Sequence, residues 1–185
     1  GNNWPQYTVS GGSVPVAEWT YIACTYDHNT LAVYQNGEQV GTNAVGPLTV
    51  ANSTSNIILG SDDVAQQYYN GLIDEPMIFG RALALSEIRA IYDAGSLGVC
   101  QATPPTTPSC GTIPPGMISW WRGENNPLDK RKAHPGTLWG TPVYTTGKGG
   151  KAFGFAAGNE AVDAGTWFNL QTFSIEMGVK PNNGQ

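Results

Sequence analysis

The stretch LAVYQNGEQV constrains the fold of this chain more than any other ten residues. Asn36-Gly37 supplies two consecutive positions that tolerate positive φ, as a type I′ turn requires. Leu31–Gln35 and Glu38–Thr42 are therefore predicted to form a tight antiparallel hairpin. Two strands alone are marginal in water and need neighbours. Trp19–Tyr26 reads as the strand before the hairpin, turned by Asp27-His28-Asn29, and the runs Leu48–Val50 and Asn56–Leu59 read as two more. Leu72–Phe79 follows, interrupted by Pro76, which cannot donate to a ladder and predicts a sheet edge or a bulge. One short helix is expected, with Ser86 as N-cap, Glu87, Ile88, Ile91 and Tyr92 at helical spacing, and Gly95 as its stop.

The strand series then breaks at QATPPTTPSCGTIPP, where five prolines and four threonines exclude helix and central strand, so residues 101–116 are expected to be a linker. Beyond it the pattern resumes at Met117–Arg122, Val143–Thr145, Lys151–Phe155 and Ala161–Asp163, and closes on FSIEMGVKP. There Phe173, Ile175, Met177 and Val179 alternate with Ser174, Glu176 and Gly178, the period of a strand with one face in a core. Such a strand leaves backbone groups and an apolar face unpaired unless other parts of the chain flank it.

Composition agrees with an all-β chain: 24 glycines and 13 prolines among 185 residues, with 12% charged residues, suit short strands and tight turns. The net charge is −5 and the nine Lys and Arg residues form no basic stripe, which argues against nucleic acid as a partner. No apolar run reaches the roughly 18–20 residues needed to span a bilayer, so no membrane insertion is expected, and GNNWPQYTVS has no signal-peptide character. Cys24 lies within a strand pattern and reads as a small core residue. Cys100 and Cys110 flank the proline-rich stretch, either as a disulfide, which would imply an oxidising compartment, or as two free thiols.

EWTYIACTYDHNTLAVYQNGEQV and NGLIDEPMIFGRALALSEIRAIY together resemble the second half of a LamG-like, concanavalin A-like jelly-roll domain over residues 14–95. GMISWWRGENNPLDKRKAHPGTLWG, GKGGKAFGFAAGNEAVDAG and LQTFSIEMGVKP resemble the first half of the same domain, as found in bacterial surface and secreted proteins. The resemblance implies an antiparallel two-sheet sandwich with its halves in reversed order: residues 1–100, a linker at 101–116, and residues 117–185. One geometry folds 117–185 back onto 1–100 as a circularly permuted sandwich. The other pairs each half with the complementary half of another molecule, a route to self-association. The first is preferred because the linker holds the partner half at an effective concentration of roughly millimolar.

For function the resemblance implies a noncatalytic extracellular binding module, most readily for a polysaccharide or other glycan, secreted or on a bacterial cell surface. The alternative is a structural or adhesive unit joining protein to protein. Glycoside hydrolases on this kind of sandwich carry Glu-x-Asp-x-x-Glu on one strand. LIDEPM keeps Asp74 but places Leu72 and Met77 at the outer positions, so no catalytic residue is expected. An acid at Asp74 needs a partner, with Arg81 as the near candidate. Many relatives hold calcium, which would assign ligation here to Asp129, with Asp74 approaching from the other half, although Lys130-Arg131-Lys132 replace the family's small residues. Trp19 and one of Trp120 and Trp121 are expected in the core. Candidate sugar-stacking aromatics are Trp4, Tyr68, Tyr69, Trp121, Trp139 and Trp167. The chain departs from the family pattern at Gly178, where a tryptophan is usual, and at Ala156 and Ala161.

Overall fold

A computed structural model describes residues 7–50, 54–62, 67–95, 99–100, 111–156 and 158–182. Trp4, Cys110 and the side chain of Cys100 lie outside the described residues, and the Cys100–Cys110 pairing with them. The strands are β1 (Thr20–Tyr26), β2 (Thr30–Gln35), β3 (Glu38–Ala44), β4 (Ile58–Leu59) and β5 (Asn70–Phe79), followed by helix α1 (Leu85–Ala94). Then come β6 (Val99–Cys100), β7 (Gly111–Thr112), β8 (Met117–Trp120), β9 (Thr137–Trp139), β10 (Val143–Thr146), β11 (Lys151–Ala156), β12 (Ala161–Asp163) and β13 (Phe173–Pro181).

The large sheet runs β10-β11-β5-β13-β1-β2-β3, with β8 also paired to β5. A smaller sheet runs β4-β12-β9, and β6 and β7 make a short parallel pair. The neighbours of β13 come from before the connector: Thr20–Tyr26 on one side and Gly71–Phe79 on the other. Both larger sheets interleave strands from the two sides of the connector, because β11 also pairs β5 and β12 pairs β4.

The hairpin forms at Asn36-Gly37, where φ is 50° and 81°. Pro76 falls in a central strand and is accommodated by a bulge. Between Glu176 and Gly178 on β13, β5 advances from Met77 to Asp74, one residue more than its partner. Glu75 takes φ 52° there. Three sequence expectations give way. Leu48–Val50 is not a strand: Tyr26 donates its hydroxyl to the Leu48 carbonyl and accepts the Leu48 N–H at 2.7 Å, which replaces ladder bonds. Ser86 lies inside the helix, which starts after Ala84; Glu87 reaches back to the Ala84 N–H at 2.9 Å and pairs with Arg81 at 2.6 Å. Gly111-Thr112, expected in the linker, forms β7.

Around β5 and β8 both faces of the large sheet are covered. On one face α1 packs Ile88 and Ile91 against Tyr21, Tyr34, Met77, Phe79 and Trp120. On the other, Leu59 and Val162 of the small sheet meet Ile73, Ile78, Phe153, Phe155 and Trp121. Each large apolar side chain so buried contributes about 1.5–3 kcal/mol. Because strand neighbours point to opposite faces and both faces are covered where β8 lies against β5, Trp120 and Trp121 are both interior, at 3% and 0% exposed. The expectation that one of them stacks on a ligand is therefore corrected: Trp121 is a core residue whose Nε1 donates to the His134 carbonyl at 2.8 Å.

Candidate functional site

The β5 bulge turns two successive acids toward the helix face, where they line a small hollow with Tyr21, Tyr92, Lys148 and Gly178. Asp74 is 2% exposed. Its Oδ2 accepts the N–H groups of Lys148 at 2.8 Å and Gly149 at 3.0 Å, and its Oδ1 has no partner. Burial pushes its carboxyl above the usual range against the pull of those two N–H groups. Arg81, the partner expected from sequence, is instead engaged by Glu87. Glu75 accepts from the Trp120 indole N–H and from Arg122 at 3.2 Å; burial outweighs the guanidinium and raises it to about 7. Next to them Glu176 is fully buried, accepts the Tyr21 hydroxyl and is pushed by burial to about 8, with Oε1 unpartnered. The hollow admits only a few waters, and each acid is already committed to a neighbour in the fold.

Asp129 behaves differently. Its Oδ1 accepts the N–H groups of Trp120 at 2.9 Å and Arg131 at 2.8 Å, and its Oδ2 those of Ala133 at 3.1 Å and His134 at 2.9 Å. Four N–H dipoles therefore point their positive ends at the carboxylate, where a calcium ion would have to sit. Asp74 shares none of these partners. Among the described residues no group of three or more His, Cys, Asp or Glu side chains is placed to hold a metal. The residues present thus do not fit the calcium site that the resemblance implied, and Asp129 serves as the organiser of its own loop.

On the opposite face lies a larger groove of about 610 Å³, in the range of ligand sites, with Ile22, Met177 and Val179 as its floor and Tyr68, Tyr69 and Gln67 on its rim. Residues 61 and 68 bridge antiparallel, and the N–H of Tyr69 donates to the Gly60 carbonyl at 2.9 Å, which fixes the rim. Gly60 has φ 90°, and a Cβ there would sit 2.7 Å from the Phe155 ring, so the turn needs glycine. Tyr69 is half-buried against the core, with its hydroxyl pushed up to about 12 by burial. Tyr68 is half-buried and is not part of either core cluster.

The remaining aromatic candidates separate. Trp167 stacks on His134 with ring centres 3.8 Å apart and donates to the Ala164 carbonyl at 2.9 Å, so it is pinned as a packing ring. Trp139 is half-buried on the edge strand β9, away from the groove lining. Sequence reasoning placed Tyr68 and Tyr69 among the candidates but missed Ile22, Met177 and Val179, because their strands meet only once β13 is inserted between β5 and β1. It also missed Glu176 as a buried acid, although its place in an alternating apolar strand was a visible signal.

A family model described as the concanavalin A-like lectin/glucanases superfamily matches residues 1–89. No curated protein and no solved structure matches the chain. No helix among the described residues is long and apolar enough to cross a membrane.

Proposed function

We propose that this concanavalin A-like sandwich, a binding module in general character, takes a carbohydrate in the groove beside Tyr68 and Tyr69 and performs no catalysis. The observation that carries the reading is the groove itself: two tyrosine rings over an apolar floor, with Gln67 and Ser61 at the rim. Aromatic faces meet the C–H faces of sugar rings, and amide and hydroxyl groups address their hydroxyls. Tyr68 is the stacking ring in this reading, and Tyr69 its supporting wall. The noncatalytic reading is supported by the state of the acids, since Asp74, Glu75 and Glu176 each hold a backbone group or side chain of the fold. An extracellular setting, secreted or on a bacterial surface, completes the proposal, with the Cys100 and Cys110 spacing in its favour.

A glycan array of the intact chain tests it. Binding to a defined glycan that weakens about 10-fold or more in Tyr68→Ala, at unchanged melting temperature, is the expected result, since loss of one stacked ring is worth about 1–2 kcal/mol. Binding indifferent to Tyr68→Ala removes the groove from the reading. A second reading, protein-to-protein adhesion by exchange of complementary halves, draws on the position of β13 between β5 and β1. Light scattering across a concentration series separates the two, because exchange yields oligomers that grow with concentration.

A further inference from the structure

The nine Lys and Arg residues are unevenly placed. Six of them lie between Arg122 and Lys151, a stretch with only two acids, Glu124 and Asp129, so that it carries +4 while the remainder of the chain carries −9. The fold draws this stretch together. Lys151 donates its Nζ to Asn125 at 2.8 Å, tying β11 to the 122–132 loop. The four N–H bonds to Asp129 then fix the loop's path, and Lys132 sits at φ 63° as part of it. The result is a hollow lined by Arg122, Asn126, Lys130 and Lys132 together with Glu124, Asp129 and the exposed Leu128.

The charges within it can be assigned. Arg122 is held by Glu75 at 3.2 Å and Glu124 at 3.5 Å, and the carboxylate of Asp129 is spent on backbone N–H groups. Lys130 and Lys132 are exposed, and among the described residues neither makes an ion pair. Two ammonium groups over a pre-ordered, hydrogen-bonding hollow present a site for a negatively charged substituent. We infer that this loop binds a carboxylate of an acidic polysaccharide, at a site separate from the tyrosine groove. The rest of the molecule selects the density of charge on the partner. Duplex DNA carries one negative charge per about 1.7 Å and requires a continuous basic track. A polymer with one carboxylate per sugar meets two lysines locally and less repulsion from the −9 remainder.

The experiment measures binding of the whole chain to polygalacturonate and to its fully methyl-esterified form, at low and at high salt. Preference for the free acid, with affinity falling steeply as salt is added, is expected. The double variant Lys130→Gln, Lys132→Asn should bind the acid about 10-fold more weakly, the size two exposed ion pairs allow, with its melting temperature unchanged. Asparagine is chosen at 132 because it tolerates the left-handed backbone there. Tyr68→Ala should leave this binding intact, which distinguishes failure of this site from failure of the groove. Equal binding of acid and ester, full affinity in the double variant, or tighter binding of duplex DNA than of polygalacturonate would overturn the inference.

Discussion

The loop around Asp129 and the bulge around Asp74 each place a carboxylate in the interior, and they satisfy it to different degrees. Asp129 accepts four backbone N–H groups from its own loop and the adjoining strand. Asp74 accepts two and leaves one oxygen without a partner, and Glu176 beside it does the same with a single tyrosine hydroxyl. A buried anion with a full set of donors holds structure together, whereas one with a partial set keeps its proton to a higher pH. The first region is therefore a structural anchor, and the second is where stability responds to acidity.

The comparison breaks most readily at Asp129. Replacing it by Ala strands four N–H groups and should cost about 3–5 kcal/mol in urea denaturation at neutral pH. A loss below about 1 kcal/mol would mean that water satisfies the loop and that the anchor is not one. Next comes Glu176. An unfolded glutamate titrates near 4.5, and the folded one near 8. The folded state therefore retains a proton that the unfolded state gives up across this interval. Stability from this group is fully present below pH 4.5 and is lost as pH rises through about 8. Glu176→Gln should flatten the pH dependence of the urea midpoint between pH 5 and 8; an unchanged slope would assign it elsewhere. The smallest effect is expected at Asp74→Asn, which keeps one oxygen for Lys148 and Gly149 and removes a poorly compensated charge. A change within about 1 kcal/mol, of either sign, is anticipated, and a loss matching that of Asp129→Ala would erase the distinction between the regions.

Much of the fold was legible because local chemistry specified it. Asn36-Gly37 could make little but a tight hairpin, and Pro76 announced an edge or a bulge, of which the fold has the bulge. The alternation of Phe173–Val179 required flanking strands, which β1 and β5 provide. Less legible were features set by distant partners. The burial of both Trp120 and Trp121 depends on a helix and a second sheet covering opposite faces. The role of Asp129 was hidden for a related reason: sequence shows an acid in a loop, and only the loop's path shows four N–H groups converging on it. Of the site, the tyrosines at 68 and 69 could be picked as loop aromatics, but their apolar floor comes from strands on both sides of the connector.

The central place of β13 also bears on the order of events during synthesis. The segments that flank it are made first, and β13 emerges only after the connector and five more strands. Until then β1 and β5 present facing rows of unpaired N–H and C=O groups, an open slot that another extended chain can enter. Completion waits on a contact spanning more than 150 residues, between Tyr21 and Glu176. A late-closing slot of this kind favours slow folding and leaves the emerging chain open to mispairing until β13 arrives.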